Sequence, residues 1–209
     1  MTGTVEPTFF YRKVLSPLCA YLQTFIPVWI TPNQITLLGG FFSAISTYLQ
    51  LQGEYLFAAL FLVIYDLADN IDGKHARATK QSSKFGSVLD HAVDGTFGCF
   101  GTTLCLSRFI GLPWLVVARV MFACFAGIHQ LESATGHLKL GFEFFGPDET
   151  ILSVVGLLIL EHFGFSAAPT LAGIITVDQI VCQIFLNMSL FLFNDPIYIY
   201  IYTINLITT

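Results

Sequence analysis

The sequence predicts an all-α polytopic membrane protein, folded as a single domain over residues 1–209. Three observations carry this reading. Hydrophobic residues make up 55% of the chain, at a mean hydropathy of +0.71. Charged residues make up only 11%, against about 25% in soluble domains. The apolar residues come in long runs punctuated by Gly, Pro and Asn, which favours helices. The net charge of −5 is not spread over a surface, because Asp66, Asp69, Asp72, Asp90 and Asp94 fall in one region. Nucleic acid is therefore not an expected partner. Cys19, Cys99, Cys105, Cys124 and Cys182 lie scattered in apolar runs with no C-x-x-C and read as small buried hydrophobes. Residues 1–8 lack a basic stretch followed by an apolar core, so no cleavable leader is expected.

In chain order, residues 1–30 are expected to hold an interfacial amphipathic helix, from about 7 to 28. Arg12, Lys13 and Pro17 argue against a full crossing; the alternative is a short first span broken at Pro17. Thr31-Pro32-Asn33 then opens a helix, with Asn33 either capping it or reaching into a polar site. About six transmembrane helices follow. The first covers 34–51, long enough to cross at about 1.5 Å per residue. The second runs from about 55 into an acidic stretch, and the third covers 83–106. The fourth covers 114–131 and is followed by a polar segment over 132–148; the fifth covers 149–160 and the sixth 168–193. The tail, 196–209, alternates IYIYIY in a β-like way and fits an interfacial segment or the start of another span. On this layout Arg12, Lys13, Lys74, Arg77, Lys80, Lys84 and Lys139 share one side, which predicts that side to be cytoplasmic.

The stretch Asp69–Asp94 reads DNIDGKHARATKQSSKFGSVLDHAVD. Asp69 and Asp72 are spaced i,i+3, and Asp90 and Asp94 i,i+4, so each pair shares a helix face. Four acids gathered among apolar runs repel one another and resist leaving water. Bound divalent cations offset both effects, and carboxylate oxygens suit Mg²⁺, Mn²⁺ or Ca²⁺. Gly73, Ala76 and Gly86 leave room for a ligand to lie close to backbone. Lys74, Arg77, Lys80 and Lys84 place cations suited to phosphate beside it. Together these residues point to metal-dependent diphosphate chemistry.

Written as D-x-x-D-G-x-x-A-R-(x)8-G-x-x-x-D-x-x-x-D, the stretch resembles the CDP-alcohol phosphotransferase signature at every fixed position and spacing. WITPNQITLLG is similar to the family's P-N-x-I-T entry to its first span. The resemblance implies transfer of a phosphoalcohol from a CDP-alcohol to a hydroxyl, with release of CMP and with Mg²⁺ or Mn²⁺, two ions, as cofactor. It implies Asp69, Asp72 and Asp90 as metal ligands, and Asp94 as a ligand or a base. It implies a nucleotide groove of Gly73, Ala76, Arg77 and Gly86 with Asn33 at its edge, and Lys74 and Lys84 as phosphate contacts.

A second segment, LESATGHLKLGFEFFGPDET, resembles the choline and ethanolamine branch at Glu132, Leu138, Leu140, Gly146, Pro147 and Glu149. It departs at Leu131, Ala134, Phe145 and Thr150. His91, directly after Asp90, is similar to the L-F-D-H of that branch, where an imidazole is suited to take a proton from a hydroxyl. Ser87 stands where the branch usually has Glu. His129, His137 and His162 read as structural. The branch implies CDP-ethanolamine or CDP-choline as donor and diacylglycerol as acceptor, in an endoplasmic reticulum or Golgi membrane with the site facing the cytoplasm. A homodimer is one expected assembly. The alternatives are a CDP-diacylglycerol-dependent enzyme acting on inositol or glycerol phosphate, a non-catalytic membrane scaffold, and an ion carrier.

Overall fold

In a computed structural model of the chain, the structure describes residues 8–110, 117–118 and 146–164. Among these residues all regular structure is helical and there is no strand. A π-helical turn, Tyr11–Leu15, leads into α1 (Ser16–Gln23). Pro17 has no N–H to continue the ladder, and the wider turn before it carries the chain past without a break. The helix ends at Gln23, short of the expected residue 28, in a series of tight turns that close with Ile30 N–H donating to the Pro27 carbonyl.

Helix α2 (Pro32–Gln52) starts on a reciprocal cap, in which Gln34 N–H donates to Thr31 Oγ1 and Thr31 N–H to Gln34 Oε1. It stops at Gly53, whose φ of 82° a side chain would strain. Helix α3 (Tyr55–Ala78) runs back alongside it. Ser83 then accepts from Gly86 N–H to cap α4 (Lys84–Val93). A second π-helical turn, Asp94–Gly98, joins α4 to α5 (Cys99–Ile110), and α6 (Pro147–His162) packs on α3.

Two apolar clusters hold the bundle. One joins α3, α5 and α6 through Leu62, Leu106, Val154 and Leu158, and the other pins α1 through Leu15 and Cys19 against Ile35 and Ile71. Polar side chains tie the backbones where helices approach closely. Ser46 Oγ donates to the Ala58 carbonyl at 2.8 Å and Ser43 Oγ to the Phe97 carbonyl at 2.7 Å.

The helices expected over 34–51, from residue 55, over 83–106 and over 149–160 are present. Among the described residues, however, no helix is long and apolar enough to cross a membrane. Helices α4, α5 and α6 are too short, at 10, 12 and 16 residues, and in the two longer helices the reason is compositional. Helix α3 carries Asp66, Asp69, Asp72, Lys74 and Arg77, and α2 interrupts its apolar residues with Ser43, Ser46, Thr47 and Gln50. The expected fourth and sixth spans and the 196–209 tail lie outside the described residues, apart from Val117 and Ala118, which are helical.

Candidate active site

The acidic pairs meet because α3 ends where α4 begins. A short turn after Ala78 reverses the chain, and Asp72 on the last turns of α3 comes to face Asp90 on α4. One oxygen each of Asp69, Asp72 and Asp90 lies within 4.8 Å of the others, and Asp90, His91 and Asp94 form an overlapping group with the same spacing. Two full charges at that distance repel by roughly 3.5 kcal/mol at an effective dielectric of about 20. Little within the described protein relieves this. The ion pair Arg108–Glu161 belongs to another part of the fold. Asp90 Oδ1 is buried with no hydrogen-bond partner. An all-oxygen donor set with an orphaned buried oxygen fits a hard divalent cation.

Beside the carboxylates lies a groove with a cavity of about 220 Å³ between the start of α2, the end of α3 and the start of α4. Asn33, Asp72, Gly73, Ala76, Arg77, Gly86 and Asp90 all line it. Each glycine has a separate reason. A Cβ on Gly86 would sit 3.1 Å from Asn33 Oδ1 and 3.2 Å from Ser83 Oγ, so this glycine sets how closely α4 approaches α2. A Cβ on Gly73 would meet only the Arg77 guanidinium, at 3.4 Å. Gly73 therefore keeps the groove floor flat under an arginine wall.

Two expected phosphate contacts are placed otherwise. Lys74 Nζ donates to Ser16 Oγ at 2.9 Å and Tyr11 Oη at 3.2 Å and lies over the Tyr11 ring, away from the groove. Lys84 is exposed on the first turn of α4 and does not line the groove. His75, a variable position of the motif, is fully buried. Its Nε2 lies 2.9 Å from the Ile30 carbonyl and its Nδ1 3.3 Å from Gln23 Nε2, so it fastens the α1–α2 connection to α3.

Sequence reasoning assigned no role to several side chains that hold the acids. Buried Thr36 donates to Asp72 Oδ2, and Tyr65 Oη donates to Asp94 Oδ1 at 2.8 Å. Helical spacing carried the signal, since Thr36 lies one turn after Asn33 and Tyr65 one turn before Asp69. On α6, Gly146 N–H donates to Glu149 Oε2, and Asn70 Nδ2 donates to Asp148 Oδ1 at 2.8 Å. Burial pushes the Asp148 carboxyl upward and the Asn70 bond draws it back. Of the second constellation, Gly146, Pro147 and Glu149 lie at the start of α6, which packs on α3, while Glu132, Leu138 and Leu140 lie outside the described residues.

A helical bundle that gathers acidic oxygens beside a glycine-floored, arginine-walled groove defines a class of site suited to divalent cations and a phosphorylated ligand. The chain belongs to the CDP-alcohol phosphatidyltransferase family, whose sequence profile matches residues 29–185. It is 30% identical over 192 residues to CDP-alcohol phosphatidyltransferase class-I family protein 2 of Dictyostelium discoideum, covering 83% of this chain and 47% of that one. It is 33% identical over 168 residues to cholinephosphotransferase 1 of Gallus gallus, covering 71% and 48%. It is 31% identical over 174 residues to cholinephosphotransferase 1 of Danio rerio, covering 73% and 44%. The chain thus spans about half the length of the curated relatives it matches.

Proposed function

We propose that the chain is a membrane phosphotransferase that moves phosphoethanolamine or phosphocholine from a CDP-aminoalcohol to diacylglycerol, releasing CMP. One observation carries the reading: the groove floored by Gly73, Ala76 and Gly86 runs into the mutually facing oxygens of Asp69, Asp72 and Asp90. The similarity to cholinephosphotransferases favours an aminoalcohol donor.

In this reading the nucleotide lies in the groove, where Arg77 meets the diphosphate with a planar set of donors. The cavity is smaller than the roughly 300 Å³ at the low end of ligand pockets, so it seats part of the nucleotide and leaves the rest exposed. Asp69, Asp72 and Asp90, with Asp94 at the edge, would hold Mg²⁺ or Mn²⁺, two ions, which would supply charge neutralisation at the diphosphate and its leaving oxygen. The acceptor oxygen forms a bond to the β-phosphorus as the bond to the CMP oxygen breaks. The hydroxyl proton passes to His91 or Asp94, which sit side by side at the open end of the acidic group. Lys84, exposed on the first turn of α4, would have to swing toward the groove to meet phosphate. Lys74 would first have to leave Tyr11 and Ser16.

A lipid acceptor needs the site at a membrane, and we place it at the cytoplasmic face of the endoplasmic reticulum or Golgi. Phe25, Val28 and Trp29 support contact with a membrane: they are 66%, 66% and 78% exposed on the turns leading to the groove. Apolar surface of that kind is expected to meet lipid.

The test is a transfer assay on purified protein in detergent with Mg²⁺ or Mn²⁺. CDP-ethanolamine or CDP-choline is offered with diacylglycerol, and CDP-diacylglycerol with inositol or glycerol phosphate. Label should enter lipid from the first pair only and disappear in Asp90→Asn. Turnover with CDP-diacylglycerol alone would replace the proposed branch. No CMP release from any donor would replace the enzyme reading with the scaffold.

A further inference from the structure

Asp94 differs from the other three acids in how its position is fixed. It opens the π-helical turn Asp94–Gly98, where Cys99 N–H reaches back five residues to the Asp94 carbonyl. Such a turn resets the helical register, and single π turns often mark sites where a side chain must be re-aimed. The side chain re-aimed here meets Tyr65, which is 4% exposed in the core and donates to Asp94 Oδ1 at 2.8 Å.

Tyr65 reaches Asp94 through a gap left by one glycine. A Cβ on Gly98, at the end of the π turn, would lie 2.9 Å from Tyr65 Cζ and collide with its hydroxyl. Gly98 cannot acquire a side chain while Tyr65 keeps its bond. The π turn, the absent Cβ and the phenol therefore form one device acting on a single carboxylate.

We propose that Tyr65 is a positioning residue that fixes the Asp94 carboxylate for cation binding, with Gly98 as the space that lets it do so. The proposal rests on the metal-dependent reading of the site, yet it makes a claim that is measurable without turnover. The phenol holds one oxygen of Asp94, so the carboxylate enters the acidic group already oriented. Without the hydroxyl, the carboxylate loses this restraint and its contribution to the cation is diluted. Partners of this kind typically change metal affinity or activity by about 10–100-fold.

The experiment compares the wild-type chain with Tyr65→Phe, Gly98→Ala and the double variant, all in detergent. Mn²⁺ affinity is read from the loss of the free-ion spin-resonance signal, and phosphotransfer is measured as a function of Mn²⁺. Folding is followed by thermal melting. Tyr65→Phe is expected to bind Mn²⁺ about 10-fold more weakly and to need correspondingly more Mn²⁺ for half-maximal turnover. Affinity of the groove for CMP, measured without metal, should stay unchanged. Gly98→Ala should weaken Mn²⁺ binding similarly. The double variant should be less than additive, because both changes break the same contact. Equal Mn²⁺ affinity in wild type and Tyr65→Phe, or no binding by either, overturns the proposal. Additive losses, or a lower melting temperature with Mn²⁺ affinity unchanged, would reduce Tyr65 to a packing residue. If wild type bound Mn²⁺ but released no CMP, the function reading would fail while the affinity comparison still decided this one.

Discussion

Charge gathers at both ends of the α2–α3 pair, and the two ends treat it in opposite ways. Where α2 finishes and α3 begins, Arg108 from α5 lies 3.3 Å from Glu161 of α6. It also donates to the Gln50 carbonyl at 2.9 Å and to Tyr55 Oη, and stacks 4.7 Å from the Tyr55 ring centre. Four helix ends are thus tied by one guanidinium whose charge is matched on the spot. At the other end, about 25 Å away at about 1.5 Å per residue, acids face acids and Asp90 keeps a buried oxygen without a partner. In the first arrangement the positive charge meets its counter-charge within the protein, although Gln50 Oε1 and Glu161 Oε2 are also buried without a partner. The second is favourable only when something positive is added. Charges that serve the fold are neutralised within it, and charges that serve a ligand are left for the ligand to neutralise.

The largest break in that contrast comes from Asp72→Asn. Loss of one carboxylate from the Asp69–Asp72–Asp90 group should cut phosphotransfer by about three orders of magnitude, roughly 4 kcal/mol of barrier. The same change removes a repelling charge, so the metal-free protein should melt no lower than wild type. Melting without metal beside a transfer assay checks both halves. A large fall in melting temperature would mean that the Thr36–Asp72 bond, not the cation site, is what the acid chiefly serves.

Arg108→Leu should do the reverse. It strands Glu161, which already has one buried oxygen unpartnered. With side-chain exposures of 39% and 22%, the loss should be about 2 kcal/mol of stability, less than for a fully buried pair. Nucleotide affinity per folded molecule should be preserved. Denaturation of Arg108→Leu, Glu161→Gln and the double variant measures the coupling, and affinity for CMP checks that the distant groove is intact.

Gly73→Ala sharpens the comparison within the site itself. Alanine in a helix is more stable than glycine by roughly 0.5–1 kcal/mol. The new methyl meets only a flexible guanidinium at 3.4 Å, so the free protein should gain stability. A nucleotide lying on that floor loses the space, and CMP affinity should fall about 10-fold. Opposite signs in melting and binding would identify a glycine kept for a ligand.

How far this was legible in the sequence depends on the range of the interaction. The spacing of Asp69, Asp72, Asp90 and Asp94 gave the acidic group, because helical periodicity turns separation along the chain into a shared face. Gly73, Ala76, Arg77 and Gly86 followed by the same rule, and the turn residues Gly53 and Ser83 marked helix ends. Lys74 shows the limit. Its charge and position suited phosphate, but its partners Tyr11 and Ser16 lie some 60 positions earlier, and only packing of α1 on α3 brings them to it. Tyr65 and Thr36 share a face with Asp69 and Asn33 by helical spacing, but which acid each one holds depends on what a neighbouring helix presents. The π turn at Asp94 had no local sign, since it arises from fitting α4 and α5 around Gly40 and Tyr65.

The smallest effect lies in the turn that brings the two acidic helices together. Helix α3 ends with Gln81 N–H donating to the Ala76 carbonyl and Lys80 N–H to the Arg77 carbonyl, a closure that places Lys80 at φ 59°. Glycine normally occupies that position, because a side chain there costs about 1–2 kcal/mol. Lys80→Gly relieves this cost but frees the unfolded chain, so the net gain should be about 0.5–1 kcal/mol. Transfer should be unchanged, because Lys80 does not line the groove. A melting and activity comparison decides whether the lysine is kept for its charge. If activity falls while stability rises, Lys80 joins Arg77 among the cations that meet phosphate, and the strain in its backbone is retained for the ligand, as the unmatched acids are.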